Sequence, residues 1–208
     1  HSSAKSLLGI IEDILDFSKI EADRIELESV PVDWTEILEE TLEQFIIPAG
    51  EKRVDLLLRI EPELPVRFVG DPLRFRQVIV NLISNAIKFT ASGWIEIEAR
   101  TGPDGGLEVV VMDTGCGIQP EQEAKLFSPF SQLESSTSRK FGGSGLGLTI
   151  SQRLARLMGG SLHYQRDWAP GAAFVFRLPV EWEGPQWAET HRSVSAASLT
   201  IELVDPLD

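Results

Sequence analysis

The chain has 208 residues, 42% hydrophobic and 25% charged, with a net charge of −13; it can bury one good core plus appendages but lacks the basic surface that nucleic-acid binding needs. Its single cysteine, Cys116, excludes an internal disulfide, argues against a zinc cluster and fits a reducing cytoplasm. No apolar run approaches the roughly 20 residues that span a bilayer and no signal peptide opens the chain, although a piece of a larger, membrane-anchored protein is compatible with both.

In chain order, "SLLGIIEDILDFSKIEAD" spaces Leu7, Ile10 or Ile11, Ile14, Phe17 and Ile20 three and four residues apart, which predicts an amphipathic helix. It either packs on its own domain or forms one strand of a helical bundle completed by other helices. "RIELESVPV" alternates as a short strand that stops at Pro31. Asp33 and Glu36 form a D-x-x-E capping box for a helix to about Ile47. "VDLLLRI" reads as a buried strand, and "GDPLRFRQVIVNLISNAIKFT" as a helix with Asp71 at its N-cap and Pro72 at its first position. "WIEIEAR" and "LEVVVMD" read as strands joined through the turn "PDGG".

From Thr114 to Gly145 regular patterning lapses, apart from a short helix near residues 121–127. A helix from about Gly145 to the Gly159-Gly160 pair follows, then the strands "SLHYQR" and "AAFVFRLPV". From Trp182 the Ser/Ala-rich chain reads as linker. The mixed order of helices and strands, with a hairpin-like end, predicts the α+β class: a helix layer on one sheet, a two-layer sandwich rather than a doubly wound fold.

Three segments carry chemistry. "NLISNAIKFT" places Asn81, Asn85 and Lys88 along one edge of an otherwise apolar helix. An unpaired buried amide costs roughly 1–3 kcal/mol, so that edge is either wet or covered by a polar ligand. Next, Asp113 ends a strand beside "TGCGI", where a carboxylate accepts hydrogen bonds and bare glycine backbone admits a flat ligand; D-x-G is also a common turn. Third, "GGSGLGLTI" leads into a helix, whose N-terminus suits phosphate, and Arg139 and Lys140 put cations just before it. The same glycines also read as a flexible hinge. Neither a Walker A loop nor a dinucleotide fingerprint is present.

In this order the three segments resemble the N, G1 and G2 boxes of sensor histidine kinases, within the superfamily shared with gyrase, the Hsp90 chaperones and MutL. "LFSPFSQ" resembles the F box between them, and "LLGIIEDILDFSKIEA" the second helix of the kinases' dimerisation and phosphotransfer bundle. "DFSKIEA" with "SSTSRKFGGSGLGL" is most similar to the hybrid kinases that carry receiver domains. The resemblance implies a Bergerat-type ATP-binding fold over residues 26–181, one partial bundle helix over 1–25, and a linker over 182–208. It further implies Mg²⁺ and ATP as cofactors, with Asn85 as metal ligand, Asn81 holding the phosphates or the metal shell, and Lys88 reaching the phosphates. Asp113 would accept the adenine amino group, with Gly115 and Gly117 allowing close approach. Arg139, Lys140, Gly143, Gly145, Leu146 and Gly147 would belong to the lid over the triphosphate.

The implied activity is phosphoryl transfer to a histidine outside this chain, in a homodimeric cytoplasmic or membrane-anchored protein that hands the phosphate to a receiver domain or response regulator. None of His1, His163 or His191 sits in the family's His-Asp/Glu-x-x-x-Pro acceptor context, and His163 reads as a structural strand position. Asn81 stands where the ATP-hydrolysing relatives carry a glutamate that activates water, and an amide cannot act as that base. Ala172 or Ala173 stands where the family usually has a hydroxyl that supports the adenine contact. Cys116 reads as a tolerated filler or as a redox-sensing thiol. Two other readings stay open: a degenerate kinase serving as a non-catalytic regulatory dimerisation module, and a gyrase- or chaperone-like ATPase. The tail "SLTIELVDPLD" reads as linker, as a strand added to the sheet, or as the first strand of a receiver in which Pro206 replaces an acid.

Overall fold

The computed structural model describes residues 2–22, 24–131, 144–186 and 199–203. In chain order they form α1 (Ser2–Glu21), β1 (Val30–Asp33), α2 (Trp34–Lys52), β2 (Val54–Ile60), β3 (Pro65–Gly70), α3 (Pro72–Phe89), β4 (Gly93–Thr101), β5 (Leu107–Asp113) and α4 (Pro120–Glu123). They continue with α5 (Gly147–Leu157), β6 (Ser161–Tyr164), β7 (Ala173–Leu178), β8 (Trp182–Gln186) and β9 (Leu199–Leu203).

Helix α3 forms where its sequence says it should. The Asp71 carboxylate accepts from Arg74 N at 3.0 Å, and Pro72 fills the first turn, where no intrahelical donor is needed. The other carboxylate oxygen accepts from Glu28 N at 3.1 Å, so one side chain both starts the helix and pins the segment leading to β1. The helix buries Phe75, Val78, Ile79, Leu82, Ile83, Ala86 and Ile87, the expected three-and-four stripe. Its far end is closed by a cation from α2: Lys52 Nζ donates to Ile87 O at 2.5 Å and to Thr90 O at 3.3 Å. Orphan carbonyls and the negative end of the dipole both favour an ammonium there.

Six strands make a mixed sheet in the order β6-β7-β5-β4-β2-β9, and β1-β3-β8 make a small antiparallel sheet beside it. Helices α2, α3 and α5 cover one face of the large sheet, closing a core around Trp34, Leu58, Phe75, Ile97 and Phe176. The opposite face is not bare. Val110, Met112, Ala173 and Val175 pack beneath Trp94 and Trp168. Beside them Glu108, 2% exposed, is clamped between Arg100 at 2.6 Å and Arg177. Burial pushes the Glu108 pKa up, but the hydrogen bonds and charges of the two arginines outweigh it and the net shift is down. Strand β5 is therefore buried on both faces, which accounts for its nearly continuous apolar run.

This is the α+β two-layer sandwich expected, with local differences. The first strand is Val30–Asp33, running through Pro31 rather than stopping there, because β1 is an edge strand whose one partner is β3. Helix α2 continues past Ile47 and through Pro48 to Lys52; burial of Ala49 and the Lys52 cap on α3 offset the bond that proline removes. The short helix near residues 121–127 is confined to Pro120–Glu123. The stretch read as linker from Trp182 contains β8, antiparallel to β3, and β9, parallel to β2 with Leu56 opposite Leu199. Within the tail, residues 199–203 form β9 on this sheet, while residues 204–208 lie outside the described residues. Among the described residues no helix is long and apolar enough to cross a membrane.

Because Asp71 serves two backbone donors at once, Asp71→Ala should lower the unfolding free energy in urea titrations by about 1–2 kcal/mol. Asp71→Asn, which keeps one acceptor oxygen, should lose less. No loss in the alanine variant would remove the cap from the account of how α3 is held.

Candidate nucleotide-binding site

Residues three and four apart share a helix face, so α3 turns Asn81, Asn85 and Lys88 to one side. That side lines a cleft of about 410 Å³ bounded also by the end of β5 and the entry to α5. Asn81 Nδ2 donates to Ser151 Oγ at 2.8 Å, and Asn85 Nδ2 makes a long 3.5 Å contact with Asn81 Oδ1. The Lys88 ammonium lies 5.3 Å from the centre of the Phe89 ring, and burial pulls its pKa below the ordinary lysine value. A partly desolvated ammonium interacts more strongly with an anion than one in bulk water.

Across the cleft, β5 ends at Asp113, 5% exposed. Its Oδ1 accepts from Gly115 N at 2.8 Å and from Ala172 N at 3.3 Å. Burial pushes the Asp113 pKa up, the two amides offset part of that, and the net direction is upward. The surrounding backbone comes too close for side chains. A Cβ on Gly115 would lie 2.6 Å from Phe89 O, and one on Gly171 would lie 1.8 Å from Asp113 O. Thr114 fixes the turn by accepting from Trp94 N at 2.9 Å and donating to Trp94 O at 3.1 Å.

The third wall comes from the segment entering α5. A Cβ on Gly147 would sit 2.3 Å from Asn81 Oδ1, so the start of α5 rests directly on the polar edge of α3. Ser144 Oγ accepts from Leu146 N at 3.1 Å and donates to Asp13 Oδ2 at 2.5 Å, which brings α1 to the mouth of the cleft. Helix α1 is held there by contacts with α5, α3 and Phe130. Phe17 lies 4.8 Å from the Arg153 guanidinium and 6.2 Å from the Phe130 ring, Glu21 pairs with Arg153, and Asp16 accepts from Gln77 Nε2 at 2.7 Å.

Of the residues singled out from sequence, Asn81, Asn85, Lys88, Asp113, Gly117, Gly145 and Gly147 line this one cleft. Gly115 packs behind it against Phe89, and the Leu146 side chain is buried in the core. Arg139, Lys140 and Gly143 lie outside the described residues. Of the two alanines, Ala172 lines the cleft while Ala173 belongs to the opposite face of the sheet. Cys116 is exposed at the cleft, and His163 sits in β6, where burial and Arg177 lower its pKa. Sequence reading missed Ser151, Ser144 and Asp13. Only Ser151 left a trace there: a hydroxyl on the apolar stripe of α5, a position that asks for a polar partner.

A folded-state pKa raised by burial means that ionised Asp113 sits less favourably in the native chain than in the unfolded one. Stability from this group is therefore present at low pH and lost as pH rises through the folded pKa. Asp113→Asn keeps the oxygen that accepts from Gly115 and Ala172 but carries no charge. It should melt at or above the wild-type temperature near pH 7.5, with the gap shrinking toward pH 4. A variant less stable than wild type throughout would contradict the burial cost.

Residues 70–181 match the family model described as histidine kinase-, DNA gyrase B- and HSP90-like ATPase. The signal transduction histidine-protein kinase BarA of Escherichia coli (strain K12) is 40% identical over 183 residues, covering 86% of this chain and 20% of that protein. The sensor histidine kinase GacS of Pseudomonas protegens is 42% identical over 180 residues, 85% of this chain and 20% of that protein. The chain thus spans about a fifth of the length of these relatives. Among solved structures, full-length ShkA in complex with AMPPNP has a TM-score of 0.78 at 29% identity, covering 99% of this chain and 47% of that one. The catalytic domain of histidine kinase ThkA has a TM-score of 0.62 at 28% identity, covering 73% of this chain and 97% of that one. By sequence and by fold, the chain belongs to the histidine kinase-, DNA gyrase B- and HSP90-like ATPase family, and the part of it that this chain matches is the catalytic domain of sensor histidine kinases.

Proposed function

We propose that the cleft binds Mg·ATP and presents its γ-phosphoryl group to a histidine of a helical bundle to which α1 contributes. One observation carries the reading: the amides and ammonium of α3 and the strand-end carboxylate Asp113 face the same cleft. Asp113, held by two backbone amides, would accept the adenine amino group, and Lys88 would meet the phosphates as a point charge. Among the described residues no group of three His, Cys, Asp or Glu side chains is assembled to hold a metal. Asn85 would supply one hard amide oxygen to a Mg²⁺ ion carried on the triphosphate. Bound there, Mg²⁺ would neutralise the phosphate oxygens and align the leaving group.

Asn81 offers no base to activate water, which supports transfer to an acceptor over hydrolysis. The outer side of α1 exposes Ile11, Ile14 and Leu15, an apolar surface fit for the remaining helices of a bundle in a homodimer. Relatives include the hybrid signal transduction histidine kinase F of Dictyostelium discoideum, 38% identical over 185 residues; by that likeness the phosphate would pass on to a receiver domain. The site of action would be the cytoplasm, where ATP is available.

Calorimetric titration with Mg·AMPPNP tests the assignment. Asp113→Asn places a donor where the adenine amino group needs an acceptor and should lose most of the affinity; unchanged affinity would overturn the adenine site. Ala172→Ser restores a hydroxyl at the cleft wall beside Asp113 and should gain about fivefold, the equivalent of about 1 kcal/mol for one hydrogen bond.

A further inference from the structure

We propose that Ser151 is a positioning residue for the metal site: it holds the Asn81 amide in one orientation and, through it, turns the Asn85 oxygen toward the cleft. The proposal rests on the reading that Asn85 ligates Mg²⁺, and it assigns a role to a residue of α5 that touches neither nucleotide nor metal.

Ser151 is 1% exposed, on the face of α5 that also buries Ile150, Leu154 and Ala155. A hydroxyl in that setting is costly unless bonded. Its partner is the Asn81 amide nitrogen at 2.8 Å, across 70 residues of chain.

The direction of that bond matters. An asparagine side chain has nearly the same shape with its oxygen and nitrogen exchanged, so only its partners decide which atom points where. With Nδ2 donating to Ser151, Asn81 Oδ1 is turned toward Asn85, whose Nδ2 lies 3.5 Å away. Asn85 therefore spends its donor on Asn81, and its oxygen is the atom left for a cation. Exchange the two atoms of Asn81 and its donor would face the donor of Asn85. Asn85 would then have to rotate its oxygen inward, withdrawing the hard ligand. Ser151 is the acceptor of this pair, its Oγ taking the hydrogen of Asn81 Nδ2.

Gly147, one turn before Ser151, fixes the other side of the same amide. Its bare backbone lets α5 approach until a Cβ would lie 2.3 Å from Asn81 Oδ1. Gly147 and Ser151 thus bracket Asn81, one by proximity to its oxygen and one by hydrogen bond to its nitrogen. Because α5 directly follows the glycine-rich segment, the orientation of the metal ligand depends on that helix being seated.

The test compares wild type, Ser151→Ala and Ser151→Cys by AMPPNP titration, once with Mg²⁺ and once with EDTA. Wild type should bind more tightly with Mg²⁺. Ser151→Ala should lose about 10-fold or more of that metal-dependent gain, the range typical for residues that orient metal ligands, while its affinity in EDTA stays within about twofold. In nucleotide-free protein the side-chain NH₂ resonances of Asn81 and Asn85 should both move in the variant. Should Ser151→Ala fail to fold, the nearly isosteric Ser151→Cys, a weak acceptor, carries the same comparison. Equal loss in Mg²⁺ and EDTA, or a full metal gain with unmoved resonances, would overturn the role of Ser151. Absence of any metal gain in wild type would instead remove the Asn85 reading, and this proposal with it.

Discussion

A carboxylate at the end of a strand buried on both faces has to be held by backbone, and the arrangement around the cleft follows from how Asp113 meets that demand. Two amides, from Gly115 and Ala172, converge on one oxygen. The pairing of β5 with β7 brings the second: Met112 lies opposite Ala173, which sets Ala172 beside Asp113. The first requires the chain to double back over the end of α3, so closely that only glycine fits against the Phe89 carbonyl. That end of α3 is itself held by Lys52. The cleft is thus a consequence of the core beneath it, and the Asp113 carboxylate is oriented before any ligand arrives, which would spare the cost of ordering it during binding.

The opposite wall works by a different economy. Asn81, Asn85 and Lys88 are polar groups on a helix whose other faces are buried, and α5 covers part of that edge without sealing it. The contact is polar at Ser151 and bare at Gly147. Ser144 divides itself in a similar way, accepting from Leu146 N within the loop and donating to Asp13 of α1. Helix α1 and the entrance to α5 therefore share one hydroxyl. A chain with a net charge of −13 still sets its lysine where an anion would enter, so local placement rather than overall charge decides what the cleft can hold.

Much of this was legible in the sequence, and the reasons are local. Asp71-Pro72 announced α3, alternation announced β4, and the Asn-Asn-Lys edge stood out because an apolar helix has no use for amides unless they are partnered. What escaped notice depends on distant pairing. β3 and β8 contain Pro65, Pro185 and a positive-φ glycine, Gly184, features that argue against a strand until Pro65 is seen to be the first residue of the central β3 and β8 to lie at the sheet edge. Helix α2 runs through Pro48 because contacts made by Ala49 and Lys52 hold its last turn, and neither contact is visible along the chain. Which alanine faces the cleft is a matter of strand parity, settled only by the register of β7 on β5. Ser151 went unnoticed because a serine is unremarkable in a helix until the element opposite it is known.

The central claim is that Asp113 reads the amino group of adenine. Its most direct test keeps the protein unaltered and changes the ligand: calorimetric affinities for Mg·ATP and for Mg·ITP, in which a carbonyl replaces that amino group. A buried carboxylate facing a carbonyl is left unpaired and repelled, so ATP should bind about 100-fold more tightly or better. Equal affinities for the two nucleotides would contradict the account.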